Sequence, residues 1–147
     1  MPITIEELHD VGVTDEVVGA FRRLVPQLSA SAAPLDADTL RAIVASPAVT
    51  VLLARNDDHT IIGTLTLVTF PIPTGYRAWI EDVIVDDSAR GKGVGLLLTG
   101  EALNRARKTG ARTVDLTTRP SRVAAGRLYE RAGFTQRETR VYRYTIE

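Results

Sequence analysis

The stretch from residue 77 to residue 118 constrains the fold more than any other. A β-rich run at 77–85 enters Asp86-Asp87-Ser88-Ala89-Arg90-Gly91-Lys92-Gly93-Val94-Gly95, a helical pattern follows and ends at Thr109-Gly110, and a second β-rich run occupies 113–118. Gly110 stands where a helix C-cap favours a residue with positive φ. Strand, helix and strand in this order make a crossover, which sets the two strands parallel in one sheet. The runs before it behave differently. Residues 49–55 and 61–70 are separated only by a short polar segment, Asn56-Asp57-Asp58-His59, and residues 71–75 hold the next turn. Connections this short join antiparallel neighbours. A chain with both kinds of connection builds one mixed sheet with helices on its faces, an α+β fold.

Periodicity supplies the remaining elements. Residues 14–28 carry Val17, Val18, Phe21, Leu24, Val25 and Leu28 at three- and four-residue spacing, behind a Thr14 or Asp15 cap and with Pro26 placed to kink the end. Residues 36–45 form a second helix with Leu40, Ile43 and Val44 on one side, stopped by Ser46-Pro47. A third long helix spans 122–132 and ends at Gly133, and 139–146 reads as a final strand that closes the sheet. With 147 residues, no internal repeat, and Pro and Gly scattered as turn punctuation, a single domain over 1–147 is expected.

Composition removes several classes of function. The absence of cysteine excludes a disulfide scaffold, a thiol nucleophile and a Cys-ligated metal, and it fits a cytoplasmic location. His9 and His59 stand alone without a His-Glu-x-x-His pattern, so no metal site is expected, and no Gly-x-Ser-x-Gly elbow marks a serine hydrolase. No window approaches the roughly 18 continuous apolar residues of a membrane span, and the N-terminus has neither a basic start nor a cleavage site. The expectation is a chain neither membrane-spanning nor secreted. Charge is balanced, 18 basic against 18 acidic residues, but unevenly placed. Residues 1–73 hold 4 Arg and 9 Asp or Glu, whereas 74–147 hold 14 Lys or Arg and 9 Asp or Glu. The second half suits an anion and the first a cationic partner. With no long basic run and only 5% aromatic residues to stack bases, no nucleic-acid partner is expected.

A strand that enters a Gly-rich turn and then a helix offers unpaired backbone N–H groups and the positive end of a helix dipole, which is a seat for an anion. The spacing excludes two common nucleotide loops. A Walker loop needs Gly-Lys-Ser/Thr, yet Gly95 is followed by Leu96 and Leu97; a dinucleotide fingerprint needs its third glycine at position 96. Taken alone, Arg90-Gly91-Lys92-Gly93-Val94-Gly95 also fits a tight turn whose glycines serve packing.

Its surroundings add to it. Arg90, Gly93 and Gly95 resemble the acetyl-CoA-binding signature of the GNAT superfamily of N-acetyltransferases: Arg or Gln, two residues, Gly, one residue, Gly or Ala. Ala125-Gly126-Arg127-Leu128-Tyr129-Glu130-Arg131-Ala132-Gly133-Phe134 resembles the family's Ala-x-x-Leu-Tyr-x-x-x-Gly-Phe segment. The order of elements is similar to the family's over essentially the whole chain, with the N-terminal third matching in pattern only. The resemblance implies a central mixed sheet of about six to seven strands flanked by about four helices. It departs at Arg122, where the family often has an Asn that contacts the cofactor; a guanidinium there could donate to a phosphate or to the pantetheine.

The resemblance implies direct transfer of an acetyl group from acetyl-CoA to an amine in a ternary complex, and the lack of cysteine agrees with the absence of an acyl-enzyme. In such enzymes the parallel strands splay and the pantetheine lies between them. Main-chain groups of Val83, Ile84 and Val85 would hold it and polarise the thioester carbonyl. Amides of Arg90, Gly91, Lys92, Gly93, Val94 and Gly95 would cradle the pyrophosphate, with Arg90 and Lys92 adding charge and Arg122 and Ala125 touching the cofactor from the following helix. An ordinary alkylamine is protonated at pH 7 and must lose a proton to attack, which makes Glu81 the favoured base, with Asp82 or water as alternatives. Regular alternation places Trp79, Glu81, Val83 and Val85 on one face and Ile80, Asp82 and Ile84 on the other, unless a bulge intervenes. Either carboxylate should then be partly buried among apolar neighbours, which raises its pKa. Tyr129 matches the family's general acid, which protonates the departing thiolate. Arg127 and Arg131, one helical turn apart, form either a solvated face or a contact to the 3′-phosphate.

The expected acceptor is a small primary amine or a peptide or protein amine, arriving from the side of the first two helices. Its selection is left to residues 26–38, 70–77 and the turn near Gln136. The aromatic final strand and the resemblance suggest a homodimer, although the same residues could pack within one chain. The alternative is a non-catalytic acyl-CoA-binding module, which would keep the loop without the chemistry.

Overall fold

The computed structural model describes residues 2–146. Five strands form one sheet in the order β1 (Thr4–Glu7), β2 (Val49–Arg55), β3 (Ile61–Ile72), β4 (Gly75–Val85) and β5 (Thr113–Asp115). Neighbours are antiparallel as far as β4, and β4 pairs with β5 in parallel. The helices are α1 (Asp15–Leu28), α2 (Ala37–Ala45), α3 (Val94–Thr109) and α4 (Val123–Arg131). α1 and α2 bury Val17, Phe21, Leu24 and Leu40 against Val51, Leu53, Ile61 and Ile84 of the sheet. α3 buries Val94, Leu98, Ala102 and Ala106 on the opposite face, against Leu52, Leu65, Leu67, Ala78 and Ile80. This is the expected α+β arrangement of a mixed sheet with helices on both faces.

Local chemistry sets the element ends. The Thr14 hydroxyl accepts from Val17 N–H at 3.3 Å and the Asp36 carboxylate from Thr39 N–H at 2.7 Å, each satisfying an orphan donor of a first helical turn. The Thr39 bond holds the Asp36 carboxyl below its ordinary range. Gly110 adopts φ +85° and closes α3 as the C-cap. In α3 the buried residues recur every fourth position, and the alanines at 102 and 106 let the helix approach the sheet closely.

Three expectations need correction. Among the described residues, 139–146 form no strand, β5 covers three residues rather than 113–118, and the sheet has five strands instead of six to seven. Pairing of β4 with β5 ends at Asp115, which shortens β5, and residues 139–146 join no ladder. The fifth strand is instead β1, which carries Glu6 and Glu7 and seats Ile5 against the α3-side core. Pro26 lies within α1, which continues to Leu28. Among the described residues no helix is long and apolar enough to cross a membrane.

Leu98 is fully buried between α3 and the sheet. Leu98→Ala should therefore cost about 2–5 kcal/mol, seen as a lower urea midpoint at unchanged slope.

Candidate active site

Pairing between β4 and β5 runs from Arg77–Thr113 to Trp79–Asp115 and stops there. Beyond that point the strands diverge, and a cavity of about 160 Å³ opens between Ile80, Glu81, Asp82 and Val83 on one side and Leu116, Thr117, Arg122 and Tyr129 on the other, with Leu28 of α1 at its border. The backbone of β4 thus loses its outer partner where the cavity begins.

At the same point β4 holds one residue too many. Thr64 faces Ile84 and Thr66 faces Glu81, so Leu65 alone stands opposite both Asp82 and Val83. Asp82 absorbs the bulge with φ +48°. The extra residue reverses the side-chain alternation: Ala78 and Ile80 face the α3 core, and past the bulge Val83 and Val85 face it too, while Ile84 turns to α1. Val83 and Val85 therefore do not share the face of Trp79 and Glu81 as regular alternation predicts. Both Glu81 and Asp82 line the cavity, and both are exposed rather than partly buried.

The turn after β4 is built for backbone approach. Gly91 and Gly93 take φ +78° and +80°, conformations that L side chains resist, and a Cβ at either would meet nothing within 4 Å. Open space, not packing, surrounds them. Gly93 is the N-cap of α3 and provides no side-chain cap, so the first N–H groups of α3 point unpaired to the same side. Gly95 serves another purpose. A Cβ there would lie 2.7 Å from Leu128 Cδ1, so this glycine lets α4 dock on α3. Val94 is likewise a core residue. Arg90 and Lys92 are exposed, and Arg90 Nη2 lies 2.9 Å from Asp87 Oδ1.

Residues that no motif marked hold this turn in place. Asp86 accepts from Ser88 N–H at 3.1 Å and from Arg23 Nε of α1 at 3.1 Å, and Arg23 Nη2 also donates to the Ile61 carbonyl at 2.6 Å. The Ser88 bond, ahead of Arg23, keeps the Asp86 carboxyl below its ordinary range against the opposing effect of burial. Gln27 Oε1 accepts from Asp87 N–H at 3.0 Å. The Asp86-x-Ser88 spacing is a legible turn signal, whereas nothing local to Arg23 or Gln27 foretells their partners.

α4 carries Tyr129, half-buried, its ring edge-on to Phe134 at 5.9 Å between centroids. Burial pushes its phenol pKa up, and the nearby Arg122 guanidinium opposes this. Arg122 is the N-cap of α4, Ala125 lies half-buried within its first turn, and Arg127 and Arg131 are exposed.

A family description, the acetyltransferase (GNAT) family, matches residues 17–134. The chain belongs to the GNAT acetyltransferase family, whose members are acetyl-CoA-dependent N-acetyltransferases. No curated protein matches this acetyltransferase. Among solved structures it is similar to a transcriptional regulator from Bacillus halodurans C-125, at 28% identity and TM-score 0.78, covering 98% of this chain and 100% of the other. It is also similar to an aminoglycoside acetyltransferase from an uncultured soil metagenomic sample in complex with sisomicin (19% identity, TM-score 0.85, 99% and 97% covered). A third is glucosamine-6-phosphate N-acetyltransferase from Arabidopsis thaliana (18%, TM-score 0.81, 98% and 99%). The last two likenesses concern the fold.

Two glycines separate conformational need from packing in this acetyltransferase. Gly93→Ala should destabilise by about 1–2 kcal/mol because of its positive φ. Gly126→Ala, in the α4 interior with nothing within 4 Å of a new Cβ, should stabilise by about 0.5–1 kcal/mol. Paired urea titrations check the opposite signs.

Proposed function

We propose that this acetyltransferase moves the acetyl group of acetyl-CoA directly to a cationic amine acceptor, with Glu81 as base and Tyr129 as acid. One observation carries the proposal: the β4 bulge lets Glu81 and Asp82 line a cavity whose other wall holds Tyr129, at the place where β4 has lost its backbone partner. The open space around Gly91 and Gly93 fits a phosphate cradle, since amides can approach a ligand where no side chain intrudes.

Bound acetyl-CoA supplies the thioester. Amides from Arg90 to Gly95 hold the diphosphate with help from Lys92, and Arg90 exchanges Asp87 for phosphate oxygen. Main-chain groups of Val83, Ile84 and Val85 would hold the pantetheine, and a donor among them would stabilise the carbonyl oxygen, where negative charge develops. Arg122 and Ala125 bound the arm from α4. Glu81 takes one ammonium proton directly or through one water, the amine nitrogen bonds to the carbonyl carbon, the Tyr129 O–H gives its proton to the sulfur as the carbon–sulfur bond breaks, and the nitrogen's surplus proton returns to the Tyr129 oxygen. The exposed carboxylate pair and the acidic first half of the chain favour an acceptor that arrives as a cation. A relative by fold is named for aminoglycosides, which carry several amines.

Release of free thiol across an amine panel tests the activity. Glu81→Gln and Tyr129→Phe should each lower kcat by about 10²–10⁴ while leaving acetyl-CoA affinity, measured by calorimetry, nearly unchanged. Indifference of all rates to both changes, with binding retained, would indicate a non-catalytic acyl-CoA-binding module. Gly93→Asp, which sets a carboxylate in the cradle, should abolish binding.

The raised Tyr129 pKa gives a pH signature. Deprotonation removes the acid, so the alkaline fall in kcat should lie above the ordinary phenol range near 10, and it should vanish in Tyr129→Phe.

A further inference from the structure

α4 begins on a residue poorly suited to begin a helix. An N-cap side chain stabilises a helix by accepting a hydrogen bond from a first-turn N–H, as Thr14 does for α1 and Asp36 for α2. Arg122, the N-cap of α4, has no acceptor atom in its side chain and makes no such bond. Its charge is also of the wrong sign for the positive end of a helix dipole, and no acidic residue in the first turn offsets it. Among the described residues Arg122 forms no ion pair either. A residue that breaks two local rules without a partner to explain it points to a function.

The cavity supplies one. Its titratable lining residues are Glu81 and Asp82 from β4 and Arg122 and Tyr129 from α4, and the other lining residues carry no charge. Among the described residues Arg122 is therefore the one cation in a cavity that already holds two carboxylates. Any anion that forms beside Tyr129 is opposed by those carboxylates and by the half-burial of the ring. Burial raises the Tyr129 phenol pKa, and the Arg122 guanidinium draws it down.

On the reading of the site given above, we infer that Arg122 is the electrostatic partner of the leaving group, stabilising the negative charge shared between the departing coenzyme A sulfur and the Tyr129 oxygen. When the carbon–sulfur bond breaks, its electron pair goes to sulfur and sulfur takes the Tyr129 proton. The negative charge then rests on the phenol oxygen until the nitrogen's surplus proton restores it. Arg122 forms and breaks no bond in this sequence; it acts through its charge on Tyr129 and on the sulfur. The start of α4 is left without a side-chain cap so that a cation can stand there.

Coenzyme A bound to the protein tests this without any acceptor, because its thiol ionises and the thiolate absorbs in the ultraviolet. The experiment is a pH titration of that absorbance in the complex, with coenzyme A affinity from calorimetry and a urea midpoint for each variant. In Arg122→Asn the acid constant of the bound thiol should fall about tenfold, with affinity for the protonated thiol nearly unchanged. The urea midpoint of Arg122→Asn should rise, since asparagine supplies the missing cap. Arg122→Lys, which keeps the charge, should keep most of the wild-type acid constant. An acid constant unmoved in Arg122→Asn overturns the inference, whether or not affinity falls. A lysine variant that titrates like the asparagine one overturns it too, because charge would then not be what acts, and so does a lower urea midpoint for Arg122→Asn, which would show that the arginine serves the fold. Failure of the wild-type chain to bind coenzyme A would overturn the reading of the site and this inference with it, whereas binding with an unmoved acid constant overturns this inference alone.

Discussion

Much of this molecule depends on two isoleucines that cannot exchange layers. Ile80 and Ile84 are four residues apart on one strand, a spacing that in a regular strand puts both on the same face. Here Ile80 is buried under α3 and Ile84 under α1. The residue inserted between them cannot be removed by sliding β4 against β3, because a one-residue slip would carry an isoleucine into the wrong core. The bulge is thus fixed from both sides, and Asp82 is held in an unfavourable left-handed conformation by neighbours more buried than itself. From that point β4 bends away from β5, and the cavity follows from the bend.

Packing also determines how the Gly-rich turn meets the cavity. Val94 and Leu98 fix α3 to the sheet, and the bare Gly95 allows Leu128, and with it α4, to settle against the first turn of α3. Tyr129 is the next residue in sequence after that contact. The turn and the tyrosine are therefore brought together where α4 packs on α3, although more than thirty residues separate them in the chain.

Much of this was legible in the residues. Short polar connections revealed the antiparallel strands, the crossover revealed the parallel pair, and Gly110 marked the end of α3 where it ends. The two motifs pointed to Gly93 and Tyr129. Other features left no local trace. β1 is four residues long and half acidic, so its burial pattern is too short to read. The bulge is absorbed by an aspartate, not a glycine, and no residue type announced the reversal that moves Val83 and Val85 to the α3 side. Exposure of Glu81 and Asp82 follows from the strand leaving its neighbour, a tertiary event. Gly95 looked like one more loop glycine, but its reason is Leu128. The final strand was read from a β-rich run at 139–146, and such a run forms a strand only where a neighbour offers it a ladder.

The polar ties of α1 have a mechanical consequence. Arg23 and Gln27 are one helical turn apart, and they grip successive residues, Asp86 and Asp87, at the start of the Gly-rich turn. The next residue after Gln27 is Leu28, on the border of the cavity. A helix held in this way couples the turn to the cavity mechanically, because the residue after the grip on Asp87 already stands at the cavity border. The Gly-rich turn and the border of the cavity thus share one mount on α1.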